Sequence, residues 1–284
     1  MVSDSVIIAF YTLLVILATG PLMVAVLMKI KGKVKMLPFL LGMLVYFTFS
    51  VVCVAFINVM FLNKGRATEP FITGNVFVYC LYFAVVVGFL EELGIYIAFK
   101  KIRADHDDKR ETIMYSLGHA GLEALLLAGP AVLVYITCGT AINELGVEEF
   151  MVKWSDVESM NLQEVVDTVT GFSIFDVILM GLERLMYFCM HIFLSIMVFY
   201  AAKKDAKVYL FIAVALRGLC TIPDSLKNFG VYTGQSQTAL IMLAYTVVII
   251  GFAGFIAVKL YRSFDKVEML LPTALFSKNI HKNV

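Results

Sequence analysis

Six ionisable side chains stand in stretches that are otherwise apolar: Glu91, Glu92, His119, Glu123, His191 and Arg217. Carboxylates and imidazoles in such surroundings activate water, hold a metal or move protons. His119 and Glu123 are four residues apart and share one helix face, so the carboxylate is expected to orient the imidazole through a hydrogen bond. Glu91 and Glu92 are adjacent and point about 100° apart on a helix, so one of them is expected to face a site directly. Two carboxylates this close in a low dielectric resist ionising together, which suits one of them to acid or base work. His191 and Ser195 repeat the four-residue spacing, and Arg184 follows Glu183, with which it is expected to pair. Each residue also has a structural reading, as an interhelical ion pair or a satisfied core histidine. Asp176 and Asp224, near span ends, are expected to reach water, and His106 and His281 to be solvated.

Elements that place such groups together must cross a membrane. The chain has 284 residues, 61% of them hydrophobic and 16% charged, and a mean hydropathy of +0.88, which excludes a water-soluble globular protein. A net charge of +1 gives no footprint for nucleic acid. Five cysteines lie inside apolar runs without a CxxC and read as packing residues. Seven apolar stretches are long enough, or nearly so, to span: 6–28, 36–62, about 71–99, 112–140, 172–202, 208–226 and 228–258. The first lacks a basic leader and a small-residue cleavage site and reads as a retained helix. The whole chain, 1–284, is read as one all-α polytopic domain.

Of the 23 basic residues, seventeen fall in the connections on one side, four on the other and two, Arg184 and Arg217, within spans. Seven spans with the N-terminus outside and the C-terminus in the cytoplasm satisfy this asymmetry. Glu91 is then about 9 residues, or roughly 13 Å, from Lys100, and His119 is equally far from Arg110. His191 lies roughly 18 Å from Lys203 and Arg217 roughly 15 Å from Lys207. Four helices therefore present polar groups in one layer, around a cavity expected to open toward the cytoplasm. Gly88, Gly94, Gly118, Ala120, Gly121 and Ala124 beside these positions allow close helix approach. The external segment at about 141–171 is acidic; Trp154 with Met151, Val157 and Met160 predicts a helix lying on the membrane surface. A cytoplasmic tail covers about 263–284.

Three elements carry a resemblance: Phe89-Leu-Glu-Glu-Leu-Gly-Ile-Tyr-Ile-Ala-Phe99, Tyr115-Ser-Leu-Gly-His-Ala-Gly-Leu-Glu-Ala124, and Glu183-Arg-Leu followed by His191-Ile-Phe-Leu-Ser195. In order and spacing they resemble the YhfC family of bacterial membrane proteins, related to the CAAX-processing and bacteriocin-processing glutamic intramembrane proteases. The resemblance implies hydrolysis of a peptide bond in a membrane protein or lipidated peptide. On it, Glu91 or Glu92 is the general base, His119 its partner, Glu123 the residue orienting His119, and His191 the group that polarises the scissile carbonyl. Arg217, Ser195 and Arg184 are supporting residues. The expected reaction needs no cofactor; the alternative is Zn²⁺ on His119, His191 and Glu91, without an HExxH motif. Ile95 or Tyr96 stands where the family pattern has an arginine, and Arg217-Gly-Leu-Cys-Thr221 where it has His-x-x-x-Asp or His-x-x-x-Asn. Arg217 is therefore expected to pair with Glu91, Glu92 or Glu123. Two other functions stay open: a non-catalytic relative that binds membrane partners or confers immunity, and a proton-coupled transporter.

Overall fold

A computed structural model describes residues 1–155, 161–231 and 237–264. Asp156, Val157, Glu158 and Met160 of the acidic segment, and the tail from 265 with His281, lie outside the described residues. Among the described residues the fold is all-helical, and seven helices are long and apolar enough to cross a membrane. They are α1 (Asp4–Gly32), α2 (Leu37–Leu62), α3 (Val76–Ile102), α4 (Arg110–Leu145), α5 (Ile174–Lys204), α6 (Val208–Asn228) and α7 (Leu240–Ser263). The protein is thus a multi-pass membrane protein, whose outward Phe, Leu, Ile and Val side chains face lipid.

Local sequence explains where the helices start and bend. The Asn75 side chain accepts from the backbone N–H groups of Phe77 and Val78, at 2.9 and 3.3 Å, and caps α3. Ser173 and Asp176 cap α5 reciprocally, so Asp176 serves a helix end rather than only reaching water. The middle of α2 relaxes into a π-helical stretch, Tyr46–Cys53. Within α4, Pro130 begins a second helical segment just after Ala128, which divides the span into Arg110–Leu127 and Gly129–Leu145. The apolar run expected to start the last span at Asn228 is cut there, because Gly230 takes a left-handed conformation (φ 86°) and closes α6.

α5 is the central helix: 61% of its most apolar stretch is buried, against 17% for α1, and α1, α3, α4, α6 and α7 all pack on it. Backbones come close where two glycine pairs allow it. A Cβ on Gly42 of α2 would strike the Tyr115 carbonyl of α4, and one on Gly118 the Phe39 carbonyl in return. A Cβ on Gly88 of α3 would lie 2.7 Å from the Val214 carbonyl of α6, and one on Gly218 equally near the Ala84 carbonyl. The end of the bundle that carries most of the basic residues is latched by a buried Arg103–Glu111 pair, Nη2 to Oε1 2.5 Å. There Lys203 Nζ also donates to the carbonyls of Arg103 and Ala104, at 2.6 and 2.8 Å, tying the α3–α4 connection to the end of α5. At the opposite end the acidic segment folds back as two short helices, Val147–Lys153 and Leu162–Gly171. Trp154 stacks on Phe150, ring centroids 5.8 Å apart, and packs on the cluster formed with α1 and α4. The expected surface anchor is therefore part of the protein's own packing.

Candidate metal centre

Glu91 on α3, His119 and Glu123 on α4, His191 on α5 and Arg217 on α6 converge in the bundle interior, each no more than 5% exposed. The single polar layer expected from helix depths is present. The Gly88–Gly218 contact sets α6 against α3 one turn from Glu91 and next to Arg217. Arg217 Nε meets Glu91 Oε2, and Arg217 Nη2 donates to Glu91 Oε1 at 3.1 Å and to Glu123 Oε1 at 3.3 Å. The other Glu123 oxygen lies against His191 Nε2.

The pairing expected within α4 is replaced by pairings between helices. Glu123 does not orient His119, because its two oxygens are taken by Arg217 and His191, charged or strongly polar partners from α6 and α5. His119 turns instead toward His191, ring centroids 4.8 Å apart and planes inclined by 39°. Among the described residues neither nitrogen of His119 nor His191 Nδ1 has a hydrogen-bond partner, and His191 Nε2 has only its close contact with Glu123 Oε2. A nitrogen of each imidazole and an oxygen of Glu91 all lie within 4.8 Å of one another.

Glu92 is fully buried beside this cluster, with both oxygens lacking a hydrogen-bond partner, and the buried hydroxyls of Ser195 and Tyr115 are likewise unpartnered. Arg184 pairs with Glu183 at 3.2 Å and lies over the Tyr187 ring, 5.0 Å from its centroid. Asp224, expected to reach water, accepts from the Tyr187 hydroxyl at 3.2 Å. Tyr46 escapes a reading of charges, since α2 has none. Its ring meets His119 edge-on with centroids 5.2 Å apart, and the only sequence signal was a phenol inside an apolar run.

A small cavity with room for about one water lies between α4 and α5, bounded by Ala120, Glu123, Ala124, Arg184, Tyr187, Phe188 and His191. It sits on the acidic-end side of the cluster, not on the basic side where an opening was expected. On the basic side Phe99 packs on Tyr115 and on Phe199, ring centroids 5.0 Å apart in each pair, and all three are buried. Aromatic packing closes that route.

A family model described as YhfC intramembrane metalloprotease matches residues 13–242, which include every residue of the cluster. The chain belongs to this family. A YhfC relative from Bacillus subtilis (strain 168), described as an uncharacterized membrane protein, is 25% identical over 222 residues, covering 78% of this chain and 85% of that protein. No solved structure matches the chain.

The metalloprotease description of the YhfC family overturns the expectation that no cofactor is needed. The residues fit a metal on the geometry alone. Glu91, His119 and His191 are one carboxylate and two imidazoles, with imidazole nitrogens left unpartnered in a buried site. Two carboxylates, Glu91 and Glu123, share one guanidinium and a third, Glu92, is buried next to Glu91 in the chain, so their ionised forms carry an excess negative charge that a divalent cation would balance. These are the three residues named for the Zn²⁺ alternative.

Proposed function

We propose that the protein is a metal-dependent intramembrane peptidase that hydrolyses a peptide bond in a membrane-embedded or lipidated peptide. Glu91, His119 and His191 hold the metal, and Glu92 is the general base. The observation that carries this reading is the meeting of those three buried side chains from three spans, with imidazole nitrogens unpartnered among the described residues. A divalent ion bound there would supply Lewis acidity, polarising the scissile carbonyl and making a water nucleophilic near neutral pH.

Glu92 has no hydrogen-bond partner among the described residues to lose, so its carboxylate takes the proton of the attacking water and passes it to the leaving amine. Arg217 holds Glu91 and Glu123 in place, and the surrounding spans exclude bulk water. Substrate enters laterally from the bilayer, as an apolar or lipidated segment requires.

The test is cleavage of a tagged membrane-peptide library by purified protein in detergent. Wild type, Glu92→Gln and His119→Ala are compared, with chelator and after metal is restored. Cleavage lost with chelator, regained with Zn²⁺, and absent from both variants supports the peptidase. Cleavage indifferent to all three manipulations refutes it. The Arg217–Glu91 ion pair favours a second reading, a non-catalytic relative that binds partner helices. That reading follows if folded, metal-loaded wild type cleaves nothing.

A further inference from the structure

The metal-site reading above assigns no task to Glu123, although it is buried, central and touches two members of the cluster. We infer that Glu123 and Arg217 are positioning residues for the metal ligands: Glu123 fixes His191 with Nδ1 as its metal-binding nitrogen, and Arg217 ties Glu123 to Glu91. This rests on the proposal that Glu91, His119 and His191 hold the metal.

The contacts distinguish the two nitrogens of His191. Nε2 lies against Glu123 Oε2, whereas no hydrogen-bond partner among the described residues meets Nδ1, so a ring proton placed on Nε2, toward the carboxylate, leaves the lone pair on Nδ1 for a metal. A carboxylate behind a ligating histidine sets its tautomer and raises its basicity. The remaining Glu123 oxygen accepts from Arg217 Nη2, and the same guanidinium grips Glu91 through Nε and Nη2. One planar cation therefore sets the spacing between a ligating carboxylate on α3 and the orienting carboxylate on α4. A lysine ammonium cannot reproduce that fork. His119 has no such support, and its ring is held by packing against Tyr46, Tyr115 and His191.

The experiment measures Zn²⁺ stoichiometry and affinity, by competition with a chromogenic chelator, on stripped protein in detergent. Monodispersity and helical content are controls. Wild type is expected to bind one equivalent, and His191→Ala and Glu91→Gln none. Glu123→Ala, Arg217→Gln and Arg217→Lys are expected to keep one equivalent at affinities 10–100-fold weaker, about the cost of losing such a partner. Glu123→Gln should recover part of the loss, because an amide oxygen still accepts from Nε2–H. Cobalt-loaded variants should keep the wild-type coordination number in their visible spectra.

If Glu123→Ala and Glu123→Gln both abolish binding as His191→Ala does, Glu123 is itself a ligand and the inference is wrong. If the charge-keeping Arg217→Lys and the shape-keeping Glu123→Gln, both folded, bind as tightly as wild type, and Glu123→Ala does too, the pair is only structural. Wild type that takes up no Zn²⁺ overturns the metal site and this inference together. Unchanged variants beside a binding wild type overturn this inference alone.

Discussion

Glu91 and Arg217, 126 positions apart in the chain, meet inside the bundle as a two-point ion pair, with Nη2 to Oε1 at 3.1 Å and the Nε–Oε2 contact beside it. Removing one partner leaves an uncompensated charge in a medium without water, at a cost of about 3–5 kcal/mol. Arg217→Leu is expected to cost more than Glu91→Leu, because it strands Glu123 as well. The double variant should recover part of the loss. Denaturation of all three in mixed micelles gives the cycle, and simple additivity would show that the pair contributes nothing.

The depth of the ionisable residues was legible from sequence because a helix rises by a fixed amount per residue and each span begins at a basic marker. That arithmetic brought Glu91, His119, His191 and Arg217 to one layer. Pairing was legible in part: Arg184 with Glu183 and Arg217 with a glutamate were expected, whereas the His191 partner of Glu123 was not. The four-residue spacing of His119 and Glu123 is a relation within a helix, whereas Glu123 is engaged by residues of α5 and α6, and α6 is seated by backbone contacts with α3 at Gly88 and Gly218. The metal stood only as the alternative in the sequence for a related reason. Its three candidate ligands come from three helices and form no local motif, so their chemistry exists only after packing.

The close approach of α3 and α6 should be sensitive to single methyl groups. A Cβ on Gly88 would sit 2.7 Å from the Val214 carbonyl and 3.0 Å from the Gly218 amide, both backbone atoms that cannot rotate away. Gly88→Ala and Gly218→Ala are each expected to destabilise by about 1–3 kcal/mol and to weaken Zn²⁺ binding by separating Glu91 from Arg217. Gly251→Ala on α7, where a Cβ would meet nothing within 4 Å, is the control and should be neutral or slightly stabilising. Equal melting temperatures for all three would remove the close-packing argument.

Orientation follows from charge asymmetry, which packing within the bundle does not address. With seventeen basic residues on one side and four on the other, the loops around Lys33, Asp107 and Asp205 are expected in the cytoplasm, and those around Asn63 and Lys153 outside. Reporter fusions read this directly. Alkaline phosphatase should be active at Asn63 and Lys153 and silent at the other three positions, with a fluorescent protein giving the complementary pattern. The reverse pattern would place the acidic segment in the cytoplasm.

Water is expected to reach the cluster through the cavity beside Glu123 and His191, because the rings of Phe99, Tyr115 and Phe199 pack together on the basic side. Its walls include Ala124, whose side chain is small, and Arg184, whose guanidinium is held by Glu183 and the face of Tyr187. Ala124→Leu fills the space and replaces no proposed ligand. It is expected to lower peptide turnover by about 10²-fold, the scale on which a misplaced reactant slows a reaction, while Zn²⁺ affinity stays within a factor of a few. Ala124→Ser, nearly the same size, should turn over close to the wild-type rate. Arg184→Met removes the cavity's cation, so its effect should fall on turnover and not on metal affinity. Measuring kcat, KM and Zn²⁺ affinity on the same preparations separates the outcomes. Loss of metal from Ala124→Leu would mean that the cavity supports the ligands, whereas full activity in Ala124→Leu would mean that water arrives by another path.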